Sequence, residues 1–191
     1  MERRPRESRF TALYEANYHR VLGYARRRSN AEDASDIAAD TFTVAWRRLD
    51  EVPAGEGALL WLYGTARRVL ANHRRAQRRR ANLVDALEAE RLTAARAADA
   101  GEAHRVGAAL AQLRDEEREL LLLIAWEGLD AAGIAAVVGC SRNAARIRVH
   151  RARRHFARAL AATDGEPIRE SRGPSAARGG TTANLGLEER P

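Results

Sequence analysis

Between Arg142 and Arg158 the chain carries seven arginines and no acid: Arg142, Arg146, Arg148, Arg151, Arg153, Arg154 and Arg158. Arginine offers a planar fork of donors suited to phosphate oxygens and to the edge of guanine. The same segment spaces Ala145, Val149, Ala152 and Phe156 at helical intervals, so one side can face a core while the arginines face outward. A second basic run, Arg67–Arg80, again holds seven arginines and no acid. It follows Trp61 and Tyr63, and aromatic faces beside cations suit unpaired bases and their phosphates. A basic solvated helix end with Trp61 in a core is an equal reading of that stretch.

Other candidate chemistries are poorly supported. The five histidines are scattered, neither a serine nor Cys140 stands in a nucleophile-like turn, and no glycine-rich phosphate loop follows a strand, which argues against an enzyme. Cys140 is the only cysteine, so no internal disulfide and no cysteine-rich zinc site can form. Asp33, Asp36 and Asp40 cluster, but without a nearby histidine or a calcium-type loop they read as a solvated or partner-facing acidic surface. No metal and no cofactor are expected.

The elements that must position these residues follow from periodicity. Ile134, Val137 and Val138 give a short helix its apolar side. Gly139 is its stop, Ser141 caps the next helix, and the arginines follow. This is a helix-turn-helix whose second helix suits the DNA major groove. DEERELLLLIAW supplies a supporting helix. Upstream, Phe10, Leu13, Tyr14, Asn17, Tyr18, Val21, Leu22 and Ala25 form one stripe, closed by Arg26, Arg27 and Arg28. Ile37, Thr41, Val44, Ala45 and Leu49 form a second, with acids in its first turns. Leu59, Leu62, Ala66, Val69 and Leu70 form a third.

The expected architecture is all-α. It has a flexible amino terminus (1–9), a helical domain (10–80), a linker (81–103), a helix-turn-helix domain (104–162) and a disordered tail (163–191). The chain has 191 residues and a net charge of +7, which fits an anionic partner. All 33 basic residues are arginine. That choice fits a GC-rich coding sequence as well as it fits function, so only charge placement counts. No signal peptide or membrane-length apolar run is visible, so a soluble cytoplasmic protein is expected.

Three motifs in order, AEDASDIAADTFTVAW, WLYGTARRVLANHRR and LAQLRDEERELLLLIAWEGLDAAGIAAVVGCSRNAARIRVHRAR, resemble the RNA polymerase sigma factors of the extracytoplasmic-function group in the sigma-70 family. The resemblance covers roughly residues 10–160. It implies a region 2-like domain and a winged-helix-like region 4 with its helix-turn-helix. It also implies a promoter-specificity subunit that binds core polymerase and helps open promoter DNA. On it, Asp36 and Asp40 contact the β′ clamp helices, and the β flap and an anti-sigma factor are further candidate partners. Trp61, Arg68 and Asn72 would face the minus-ten element, with Arg74 and Arg75 on phosphate. Arg146, Ile147, His150 and Arg151 would face the minus-thirty-five groove, with Arg142 and Arg148 nearer its backbone. The family commonly has Asn where Arg68 stands and Asp where Asn72 stands, which implies an unusual minus-ten preference. A stand-alone helix-turn-helix regulator and an RNA-binding helical protein remain the alternatives.

Overall fold

A computed structural model describes residues 3–84 and 102–164. Among them are seven α-helices, one short 3₁₀ turn and no strand, so the helix-turn-helix is built from helices alone. The helices are α1 (Arg3–Arg26), α2 (Ala31–Arg47), α3 (Glu56–Val84), α4 (Glu102–Ala111), α5 (Asp115–Ala125), α6 (Ala131–Val138) and α7 (Arg142–Asp164).

Helices α1, α2 and α3 pack on one another as the first unit. Asn30 begins α2 as its cap, its side chain accepting from the Asp33 amide at 2.7 Å. The stripes read from sequence supply buried Val21, Leu22, Ala25, Ile37, Thr41, Ala45, Leu62, Ala66 and Leu70. Helices α4, α5 and α6 all pack on α7, which is the spine of the second unit.

The amino terminus is a correction. Residues 3–9 are not loose but form the first turns of α1. Pro5 sits there at no hydrogen-bonding cost, since the first amides of a helix have no internal acceptor. Arg6 donates to the Trp46 carbonyl at 2.9 Å and Arg9 to the Val52 carbonyl at 2.8 Å, tying the segment to the end of α2 and the loop beyond. Helix α3 also runs to Val84, into the stretch read as linker, because no Gly or Pro interrupts the chain after Gly64 until Gly101. Residues 85–101, the rest of the expected linker apart from two residues of α4, lie outside the described residues. So does the expected disordered tail beyond Asp164.

The larger buried cluster runs through both units. Tyr24, Leu62 and Tyr63 of the first belong to the same buried cluster as Leu123, Ile134, Val137 and Ala145 of the second. Gly64 eases the approach of α3 to α6: a Cβ there would lie 3.2 Å from the Val137 carbonyl oxygen, tight enough that α6 would have to give by a few tenths of an ångström.

Candidate nucleic-acid interface

The helix-turn-helix is fixed by local chemistry. Asp130 caps α6, accepting from the amides of Ala132 (3.1 Å) and Gly133 (2.8 Å). Those bonds lower its carboxyl pKa, the Gly133 amide contributing most. Gly139 ends α6 in the left-handed conformation at φ 76°, as its C-cap role requires. Ser141 Oγ accepts from the Ala144 amide at 3.1 Å and starts α7. Ala145 and Ala152 are fully buried beneath α7. Arg142, Arg146, Ile147, Arg148, His150 and Arg151 are all exposed on it. Ile147 is a large apolar side chain left 46% exposed among cations, where it is available to a base edge. Cys140 is half-buried and free.

On α3 the expected residues divide. Arg68, Asn72 and Arg75 are exposed, and Arg75 donates to Asn72 Oδ1 at 2.6 Å. Arg74 is half-buried and donates to the Arg28 carbonyl at 3.0 Å, so it braces the turn after α1 against α3. Trp61 is half-buried against Leu49, Val52 and Ala58. Of its two sequence readings, core packing is the one these contacts serve.

On α2, Asp36 and Asp40 are exposed. His73 of α3 donates Nε2–H to Asp40 Oδ2 at 2.9 Å, and Gln77 reaches Asp33 at 2.8 Å. The acidic face of α2 is therefore stitched to the basic helix beside it. Next to this face an exposed aromatic groove runs between α1 and α2, lined by Phe10, Tyr14, Tyr18, Phe42 and Trp46.

The residues that sequence reasoning missed lie between the units. Arg28, read as one of the charges closing a stripe, is buried. Its Nε donates to Glu119 Oε2 at 2.7 Å and its Nη1 to Glu127 Oε1 at 3.0 Å. The guanidinium lies 3.7 Å from the Tyr24 ring centroid. Arg27 joins through Glu127 Oε2 at 2.6 Å, and the Tyr24 hydroxyl donates to Glu119 Oε1 at 2.7 Å. Burial works against the charge on Arg28, but Glu119, Tyr24 and Glu127 hold its pKa above the ordinary arginine value. Burial, then the Glu119 charge, pushes Tyr24 well above the ordinary tyrosine range. The only sequence signal was the coincidence of an Arg26–Arg28 run with an acidic 115–119 run in a chain whose partners could be internal.

Among the described residues no group of three or more His, Cys, Asp or Glu side chains is placed to hold a metal ion. No helix among them is long and apolar enough to cross a membrane.

With this geometry in place, comparison with known proteins is specific. Residues 13–80 match the Sigma-70 region 2 family and residues 103–156 match Sigma-70, region 4. The chain is 32% identical over 150 residues to the ECF RNA polymerase sigma factor SigC of Mycobacterium tuberculosis, covering 74% of this chain and 78% of that protein. It is 30% identical over 125 residues to the ECF RNA polymerase sigma factor EcfG of Rhodopseudomonas palustris, covering 65% of this chain and 69% of the other. Its fold matches that of the sigma factor RpoE, solved in complex with the anti-sigma factor NepR from Bartonella quintana. That match has a TM-score of 0.63 and 25% identity, and covers 80% of this chain and 96% of that one.

Proposed function

Because this chain belongs to the sigma-70 family of RNA polymerase sigma factors, in the extracytoplasmic-function group, we infer that it is a promoter-specificity subunit. It binds core RNA polymerase, recognises promoter DNA and helps open it, with no catalysis of its own, in the cytoplasm. Its minus-ten and core-binding domain spans residues 10–80 and its minus-thirty-five domain residues 104–162.

The observation that carries the residue assignment is the outer face of α7. Arg142, Arg146, Ile147, Arg148, His150 and Arg151 stand exposed on a helix whose other side is anchored by Ala145 and Ala152. Arg146, Ile147, His150 and Arg151 read bases; Arg142 and Arg148 hold phosphate. Arg68, Asn72 and Arg75 engage the melted minus-ten strand. Trp61 and Arg74 serve that surface from behind, Trp61 by packing against Leu49, Val52 and Ala58 and Arg74 by bracing the turn after α1. Asp36 and Asp40 meet the β′ clamp helices, and region 4 meets the β flap. Since RpoE is seen with NepR, an anti-sigma factor is the proposed inhibitory partner here as well.

Run-off transcription with bacterial core polymerase on a genomic promoter pool tests this. Discrete new start sites that align into two upstream elements are expected. Tight binding to a duplex site without any association with core would overturn it in favour of a stand-alone regulator.

A further inference from the structure

Arg68, Asn72 and Arg75 are spaced by four residues and then three, so the exposed side chains share one outer face of α3. Within that face Arg75 Nη2 donates to Asn72 Oδ1 at 2.6 Å, one turn along the helix. The distance is short for a nitrogen donor, as in other bonds where the donor carries a charge. A carboxamide has two different ends: its oxygen accepts, and its nitrogen carries two donors. A guanidinium has no acceptor, so the amide cannot sit against Arg75 the other way round. Oδ1 is therefore the end that is engaged, and the donors of Nδ2 are what Asn72 has left to offer. The oxygen keeps a second lone pair, but an amino group approaching it would meet the Arg75 guanidinium, donor against donor.

We propose that Arg75 is a positioning residue that locks Asn72 as a donor, so that α3 favours guanine over adenine at one position of the melted minus-ten strand. The proposal rests on the reading of α3 as the surface that engages that strand. The two purines have the same ring system and differ in the groups along their edges. Adenine sets the N7 acceptor beside the N6 amino donor, and a free Asn carboxamide matches both at once. Guanine sets N7 beside O6, two acceptors in a row. Locked Asn72 and Arg68, one turn back, have only N–H groups for either base. Guanine satisfies them at both atoms and adenine at one, where the amino group of adenine is also left facing a donor. Without Arg75 the amide can turn over, and the adenine match returns.

The test uses the full chain bound to core polymerase, on one promoter taken from the run-off pool. Each position of its minus-ten element is set in turn to guanine or adenine on the non-template strand, and the ratio of run-off product is read. At one position the parent is expected to favour guanine about tenfold. Arg75→Ala is expected to bring that ratio close to one and to leave the ratios at the other positions unchanged. Arg75 also carries charge that phosphate can use, but losing it lowers both products alike and cancels in the ratio. In an Asn72→Ala background, Arg75→Ala should move no ratio, because the lock has nothing to hold. A parent without the guanine preference overturns the proposal. So does an Arg75→Ala variant that loses yield with every ratio intact, or one whose shift persists without Asn72. If Asn72→Ala itself changes no ratio while discrete start sites remain, Asn72 does not read the strand and the lock falls while the promoter reading stands. No start site above core polymerase alone would remove the promoter reading and the lock together.

Discussion

Arg28 Nε donates to Glu119 Oε2 at 2.7 Å across 91 residues of sequence, joining the end of the first helix to the supporting helix of the DNA reader. The Arg28 and Glu127 side chains are only 1% and 2% exposed, so neither charge is screened by water. A pair of this kind contributes little net stability compared with apolar packing, yet losing one member leaves the other charged and buried.

Arg28→Met is therefore expected to weaken docking of the two units by about 3–5 kcal/mol. The chain has an escape, because parting the units rehydrates Glu119 and Glu127. Chemical denaturation should change from one cooperative transition to two, with helicity in buffer unchanged. A single transition at the parental midpoint would mean that Arg28 does not couple the units.

Tyr24 carries a pH signature of the same contact. Its folded pKa is raised, so the folded state keeps the phenol proton where an unfolded chain gives it up. The stabilisation is complete below the ordinary value of 10 and is lost as pH rises through the folded value. Ultraviolet titration of tyrosinate should show a late fraction in the parent that shrinks in Tyr24→Phe, the remainder belonging to Tyr63, which burial also raises. Units that separate in alkali should do so earlier once Glu119 is replaced by Gln.

Glu117 works in the opposite direction. The Arg114 guanidinium, 2.6 Å from its Oε1, and His155 Nδ1 at 2.7 Å lower its pKa from the ordinary 4.5 to about 2. A depressed carboxyl stabilises the fold above the unfolded value and loses that contribution as pH falls through the folded one. Melting of the parent should decline between about pH 4.5 and 2 more steeply than melting of Glu117→Gln. Parallel curves in that window would remove Glu117 from the acid response.

Much of the second unit could be read in sequence because its determinants are local. Gly139 fixes the turn through its left-handed backbone and Ser141 through its own hydroxyl, and Ala145 and Ala152 announce the buried side of α7 by spacing. The three stripes of the first unit were legible for the same reason. What escaped depends on docking. Tyr24 is off the apolar stripe of α1 yet fully buried, because its face meets the other unit. Arg28 and Glu119 look like ordinary surface charges until α5 and α1 are brought together. The helical start at residues 3–9 escaped too, since its anchors are carbonyls of Trp46 and Val52 that no local pattern reveals.

On the recognition helix, Arg146→Ala and Arg148→Ala should separate base reading from phosphate binding. Both side chains are exposed, so neither change should disturb the fold. Arg146→Ala should cost about 1–3 kcal/mol of discrimination at one base pair of the upstream element. Arg148→Ala should weaken binding evenly across sequences and reduce the slope of affinity against salt by about one. Polymerase-bound protein assayed on a set of single-base promoter variants at several salt concentrations reads both. Equal loss at every base for Arg146→Ala would reassign it to phosphate.

The acidic face of α2 makes the last prediction two-sided, because Asp40 is held by His73 at 2.9 Å. Asp40→Arg should reduce association with core polymerase more than tenfold, through charge reversal at the proposed clamp contact. It also breaks the tie to α3, so loss of binding alone does not identify the cause. His73→Ala breaks the same tie and leaves the carboxylate free at the surface. If Asp40 meets the polymerase directly, His73→Ala should bind core as well as the parent or better, and only Asp40→Arg should fail. Equal loss in both would show that Asp40 acts by positioning α3 instead. Normal binding of Asp40→Arg would place the clamp contact elsewhere on the first unit.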